Sequence, residues 1–155
     1  MFNCYIEPKV YRNFLTKEQC DFLINCEGDI FDYKKTHFGE PDEKNNFEYV
    51  NSTTKRISLE LGLPIIKICS DKMNIPINKF DGISIIKYEK GGFIPTHKDS
   101  GVYTPRPYTF LLYLNDDYEG GETCFPMLNK SFKLNTGDAL FFHNRDSSGF
   151  DTCTS

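Results

Sequence analysis

The chain has 155 residues and a formal charge of −4. That length suits one domain able to bury a core, and an acidic balance disfavours a nucleic-acid backbone as partner. No apolar run is long enough to span a bilayer, so no membrane partner is expected.

The opening MFNCYIEPKV has neither the basic n-region nor the apolar h-region of a secretory signal. Six cysteines (Cys4, Cys20, Cys26, Cys69, Cys124 and Cys153) are scattered without a CxxC pair. They read as reduced thiols of an intracellular protein, and a cytoplasmic location is expected. Abundant Phe and Tyr suit a β-rich core.

In chain order, Thr16-Lys17-Glu18-Gln19 forms a capping box ahead of Cys20, Leu23 and Ile24 at helical spacing. A helix over about residues 17–26 follows, stopped near Gly28. The polar stretch from Asp32 to Phe47 reads as a loop, and its His37 as solvated. A short helix is expected from Asn51 to Leu61, ending at Gly62. A second begins at Pro64, where a missing N–H costs nothing, and ends at Asn74-Ile75-Pro76.

From Asp81 the period changes to two. Ile83 to Tyr88 reads as a strand entering a turn at Gly91-Gly92. Pro107 to Asn115 is an apolar strand expected to lie centrally in a sheet. Asp116 to Gly121 is a turn, and Glu122–Phe125 and Ser131–Leu134 are short strands. Asn135 to Asp138 is a tight turn, and Ala139 to His143 is the last clear strand. An antiparallel, mainly β domain of the α+β class behind a helical layer follows.

The chemistry gathers at YEKGGFIPTHKDS, residues 88–100. In extended chain His97 and Asp99 leave the same face, with Lys98 turned away. An imidazole and a carboxylate so placed are two of the three groups of a 2-His-1-carboxylate iron site. Taken alone, the three residues also fit a solvated surface loop.

The neighbours of this triplet carry a resemblance. FLTKEQCDFLI, ISIIKYEKGGFIPTHKDS, RPYTFLLYLNDDYEGGETCFP and GDALFFHN occur in that order. In these segments the chain resembles the 2-oxoglutarate- and Fe(II)-dependent dioxygenases, and among them the prolyl 4-hydroxylase-type catalytic domain. The resemblance implies a double-stranded β-helix (jelly roll) with N-terminal flanking helices, occupying residues 1–155 as one domain. It implies Fe(II), 2-oxoglutarate and O2 as cofactors, with ascorbate as reductant. The implied reaction hydroxylates a peptidyl residue, foremost proline, and releases succinate and CO2. Lysyl hydroxylation stays open, as does a free amino acid as substrate.

Residue by residue, the resemblance puts His97 and Asp99 on the first two iron ligands. Tyr88 and Tyr113 fall on positions facing the co-substrate, with core aromatics as the competing reading for both. Arg106 and Thr109 match positions lining the same region. Tyr103 is a candidate for stacking on a substrate ring. The family pattern adds a second His after the GDALFF strand and then a Lys or Arg for the far carboxylate of 2-oxoglutarate. Neither occurs before Ser155, so the chain is expected to lack its C-terminal strand or strands, with His143 as a weaker candidate for the third ligand. Two rival readings are a non-catalytic jelly-roll module and an oxidative nucleic-acid demethylase, the latter disfavoured by the acidic charge.

Overall fold

The computed structural model describes residues 6–32, 52–99 and 106–144. Its strands in chain order are β1 (Lys9–Tyr11), β2 (Asp29–Asp32), β3 (Ser52–Ile57), β4 (Ile83–Tyr88), β5 (Tyr108–Leu112), β6 (Thr123–Phe125), β7 (Lys130–Phe132) and β8 (Ala139–His143). Two α-helices accompany them, α1 (Lys17–Asn25) and α2 (Leu59–Met73), making the described chain mainly β. It divides into two compact units, Met1–Asp21 with Ile94–Ser155, and Phe22–Phe93.

In the first unit the strands run β1-β8-β5, all antiparallel, and β6 and β7 form a separate hairpin. Among the described strands β8 is therefore the middle one, not the 107–115 segment expected there. The two-residue period of β8 explains its place. Leu140 and Phe142 face a core with Phe125 and Leu134, against which Val10, Leu111 and Tyr113 pack. Burying each of these large side chains contributes about 1.5–3 kcal/mol. Phe141 and His143 take the other face.

A turn fixes the register of this sheet. Leu15 donates its amide to the Gly137 carbonyl at 2.9 Å, Gly137 donates to Tyr113 at 2.8 Å, and Tyr113 donates to Asp138 at 3.0 Å. Gly137 has φ +87°, and a Cβ there would lie 2.3 Å from the Leu15 oxygen. Only glycine meets both demands. Beside it the buried Asp138 accepts hydrogen bonds from Arg12 Nη1 at 2.6 Å, the Asn13 amide at 3.0 Å and the Asn135 amide at 3.0 Å. Burial by itself would raise the Asp138 carboxyl. The Asn13 amide, the Arg12 guanidinium and the Asn135 amide outweigh it and hold the group below its usual range.

The capping box forms as expected, with the Gln19 amide on Thr16 Oγ1 at 3.1 Å and the Thr16 amide on Gln19 Oε1 at 2.9 Å.

In the second unit the sheet order is β2-β3-β4, antiparallel throughout. Here the structure corrects the sequence reading. Residues 52–57 form the middle strand and not a helix, and one helix runs unbroken from Leu59 through Gly62 and Pro64. Thr53, Thr54 and Ile57 favour extended chain, and partners on both sides satisfy the backbone. Ser58 then caps α2, accepting from the Leu61 amide at 3.2 Å. Pro64 costs the helix one carbonyl partner near its start, where few bonds are yet made. Asn74 closes it in the left-handed conformation at φ 54°.

Apart from Asp32, which ends β2, the expected 32–47 loop lies outside the described residues, His37 included. So does Tyr103.

Candidate metal centre

The segment after the Gly91 turn is pinned by Ile94, a buried residue of the first unit. Past it, His97 and Asp99 converge while Lys98 between them is exposed. His97 Nε2 lies 2.9 Å from Asp99 Oδ1, and both side chains are partly shielded. His97 Nδ1 lies 2.9 Å from the Pro95 carbonyl. A carbonyl only accepts, so Nδ1 carries a proton, and Nε2 is the nitrogen left to face Asp99.

The carboxylate is held on its other side as well. Thr109 Oγ1 donates to Asp99 Oδ2 at 2.7 Å. Asn144 Nδ2 donates to Thr109 Oγ1 at 2.9 Å and to the Arg106 carbonyl at 2.9 Å. Thr109 pairs with Phe142 across β5 and β8, so Thr109, Phe142 and Asn144 share the inward face.

The electrostatics follow from these contacts. The hydrogen bond to Asp99 raises the His97 pKa above its usual value, against the opposing effect of burial. Burial pushes Asp99 upward, but the hydrogen bonds from His97 and Thr109, helped by the charges of His97 and Arg106, hold it below the carboxylate range. Each partner thus favours the charged form of the other.

A metal ion fits this pair by replacing the proton on Nε2. An imidazole nitrogen and a carboxylate oxygen are donors that such an ion would take, and they lie 2.9 Å apart. Among the described residues no third His, Cys, Asp or Glu joins them. His143 stands on the opposite face of β8, its ring 5.0 Å from Tyr108 and 5.6 Å from Phe141. Burial lowers its pKa, as befits an aromatic neighbourhood.

The remaining sequence candidates are placed as follows. Tyr113 lies on the inward face, two pleats beyond Thr109, and its hydroxyl meets Thr123 Oγ1 at 2.7 Å. Burial raises its pKa. Arg106 is exposed and gives its carbonyl to Asn144. Tyr88 ends β4 in the second unit, opposite Ser52, and is about half exposed. Asn144 was not singled out from sequence. Its signal was there, since an amide two residues past Phe142 continues a stripe that is otherwise apolar.

The model of the 2OG-Fe(II) oxygenase superfamily matches residues 83–150, which include every member of this network. Probable prolyl 4-hydroxylase 3 of Arabidopsis thaliana is 32% identical over 139 residues, covering 81% of this chain and 48% of its own length. Through residues 83–150 the chain is thus similar to the 2OG-Fe(II) oxygenase superfamily. Among similar oxygenases, the Putative prolyl 4-hydroxylase of Acanthamoeba polyphaga mimivirus is 24% identical over 153 residues, covering 90% of this chain and 61% of that protein. The chain thus spans about half to three fifths of the length of these curated relatives. Of solved structures, the viral collagen prolyl hydroxylase vCPH from Paramecium Bursaria Chlorella virus-1, in complex with 2OG, superposes with a TM-score of 0.65 at 22% identity. The match covers 96% of this chain and 86% of that one, a likeness of fold.

Proposed function

We propose that this protein is a 2-oxoglutarate- and Fe(II)-dependent dioxygenase that hydroxylates a peptidyl residue, foremost proline, with release of succinate and CO2. The observation that carries the reading is the His97–Asp99 pair, two metal-ready donors 2.9 Å apart inside the region that matches the superfamily. The prolyl 4-hydroxylases among its relatives support proline and a peptide or protein partner. They leave little to recommend a demethylase or a non-catalytic module.

His97 and Asp99 are the proposed ligands, in the neutral and ionised states that metal binding requires. Fe(II) held there with 2-oxoglutarate and O2 would supply the oxidising chemistry, with ascorbate as reductant. Pro95 fixes the His97 tautomer and Thr109 fixes the carboxylate. Tyr113 and Arg106 are proposed to line the co-substrate site, and Tyr103 to meet substrate. The two units together are proposed as one domain, a double-stranded β-helix, in keeping with a superposition that covers both.

The test is succinate release by the full natural protein with Fe(II), 2-oxoglutarate and a proline-rich peptide. Peptide-dependent release that His97→Ala abolishes is expected. Release indifferent to peptide removes the substrate assignment, and release unchanged in His97→Ala removes the metal assignment.

A further inference from the structure

Asn144 is 1% exposed and lies at the end of β8. Its amide faces two groups of different character. The Arg106 carbonyl can only accept, so the NH2 end must point toward it. With that end placed, the second N–H meets Thr109 Oγ1 at 2.9 Å. Asn144 Oδ1 lies farther from the same hydroxyl, at 3.3 Å.

Thr109 has one proton to give. Two acceptors lie in reach, Asp99 Oδ2 at 2.7 Å and Asn144 Oδ1 at 3.3 Å. The carboxylate is charged and closer, and a charge-assisted bond is the stronger. Because Asn144 fills a lone pair of the hydroxyl, the Thr109 proton is steered to Asp99. The Asn144 backbone amide adds a bond to the Pro107 carbonyl at 2.8 Å, clamping the residue to the start of β5.

We propose that Asn144 is a positioning residue, acting through Thr109 to hold Asp99 Oδ2 so that Oδ1 is presented beside His97 Nε2. This rests on the reading of His97 and Asp99 as metal ligands. A carboxylate anchored through one oxygen offers the other as a single donor at a set angle. Left loose, it rotates and the bite opens. Outer partners of this kind are worth about 10- to 100-fold in metal affinity.

The test uses the full natural protein and measures equilibrium Fe(II) and Co(II) affinity anaerobically, alongside the metal-free Tm. Asn144→Ala and Thr109→Val are expected to weaken both metals about tenfold or more. Thr109→Ser, which keeps the hydroxyl, should bind within about twofold of wild type. A merely structural role would lower the metal-free Tm and leave affinity unchanged in whatever remains folded. Thr109→Val is close in shape, so it reads the same link if Asn144→Ala does not fold. Wild-type affinity in Thr109→Val overturns the inference while loss of binding in His97→Ala keeps the metal site. Failure of the wild type to bind either metal overturns both.

Discussion

Asp138 is the side chain on which the first unit should depend most visibly. Asp138→Ala removes the acceptor of the Asn13 and Asn135 amides and of Arg12. Both amides belong to exposed residues and their bonds are part-buried, so each lost bond costs about 1–1.5 kcal/mol. The Arg12 contact adds less than about 1 kcal/mol, because that side chain is 60% exposed. The loss should be about 3 kcal/mol, or about 6–12 °C in Tm for a chain of this size. Asp138→Asn keeps an acceptor for one amide and turns an NH2 toward the other donors, so it should fall about midway. Arg12→Ala should cost less than about 1 kcal/mol.

The same carboxylate predicts a pH dependence. Its folded-state pKa lies below the unfolded value of about 3.9, so it binds protons less readily when folded. Its contribution is fully present above about pH 4 and is lost as pH falls through the lower folded-state value. The gap between wild type and Asp138→Asn should therefore be constant from pH 5 to 7, at about that midway cost, and narrow below about pH 4. Urea unfolding followed by circular dichroism measures both effects. A loss in Asp138→Ala no larger than that in Arg12→Ala, or a gap that widens in acid, would refute the reasoning.

Other outcomes follow from the site and its frame. His97→Ala and Asp99→Ala should each abolish Fe(II)-dependent succinate release with the fold intact by circular dichroism; activity within twofold of wild type would contradict the assignment. Tyr113→Phe loses its hydroxyl bond to Thr123 and should raise the 2-oxoglutarate requirement, with little change in Tm. An unaltered requirement takes Tyr113 out of the co-substrate site. Gly137→Ala forces a Cβ against the Leu15 oxygen at a positive φ. It should destabilise by more than about 1–2 kcal/mol, and a neutral effect in thermal melts would show that the turn can open.

Much of the first unit could be read from sequence because local signals agreed with tertiary needs. Thr16 and Gln19 form their box, Gly137 makes its turn, and the alternation in β8 names its buried face. The second unit misled where local and tertiary demands differed. Ile57 and Leu61, four residues apart, extend a helix-like spacing back toward residues 51–57, whereas strands on both sides draw Thr53 to Ile57 into a sheet. Pro64 looks like a helix start because the rule that places proline first is local, and it misses a cap six residues earlier at Ser58. At the site, spacing alone paired His97 with Asp99. Asn144 escaped because it acts 45 positions along the chain from Asp99, and only strand register brings the two together.

That register has a bearing on how the gene can vary. The turn at Gly137 is bonded to Leu15 and Tyr113 at one end of β8, and Asn144 sits at the other, about 20 Å of chain away. Since faces alternate, deleting one residue anywhere between them would turn the amide outward. Substitutions along β8 can be absorbed singly, but a change in its length cannot. In a library of insertions and deletions, this strand should be intolerant well beyond what the burial of its individual residues suggests, while the exposed 115–117 turn should accept added residues.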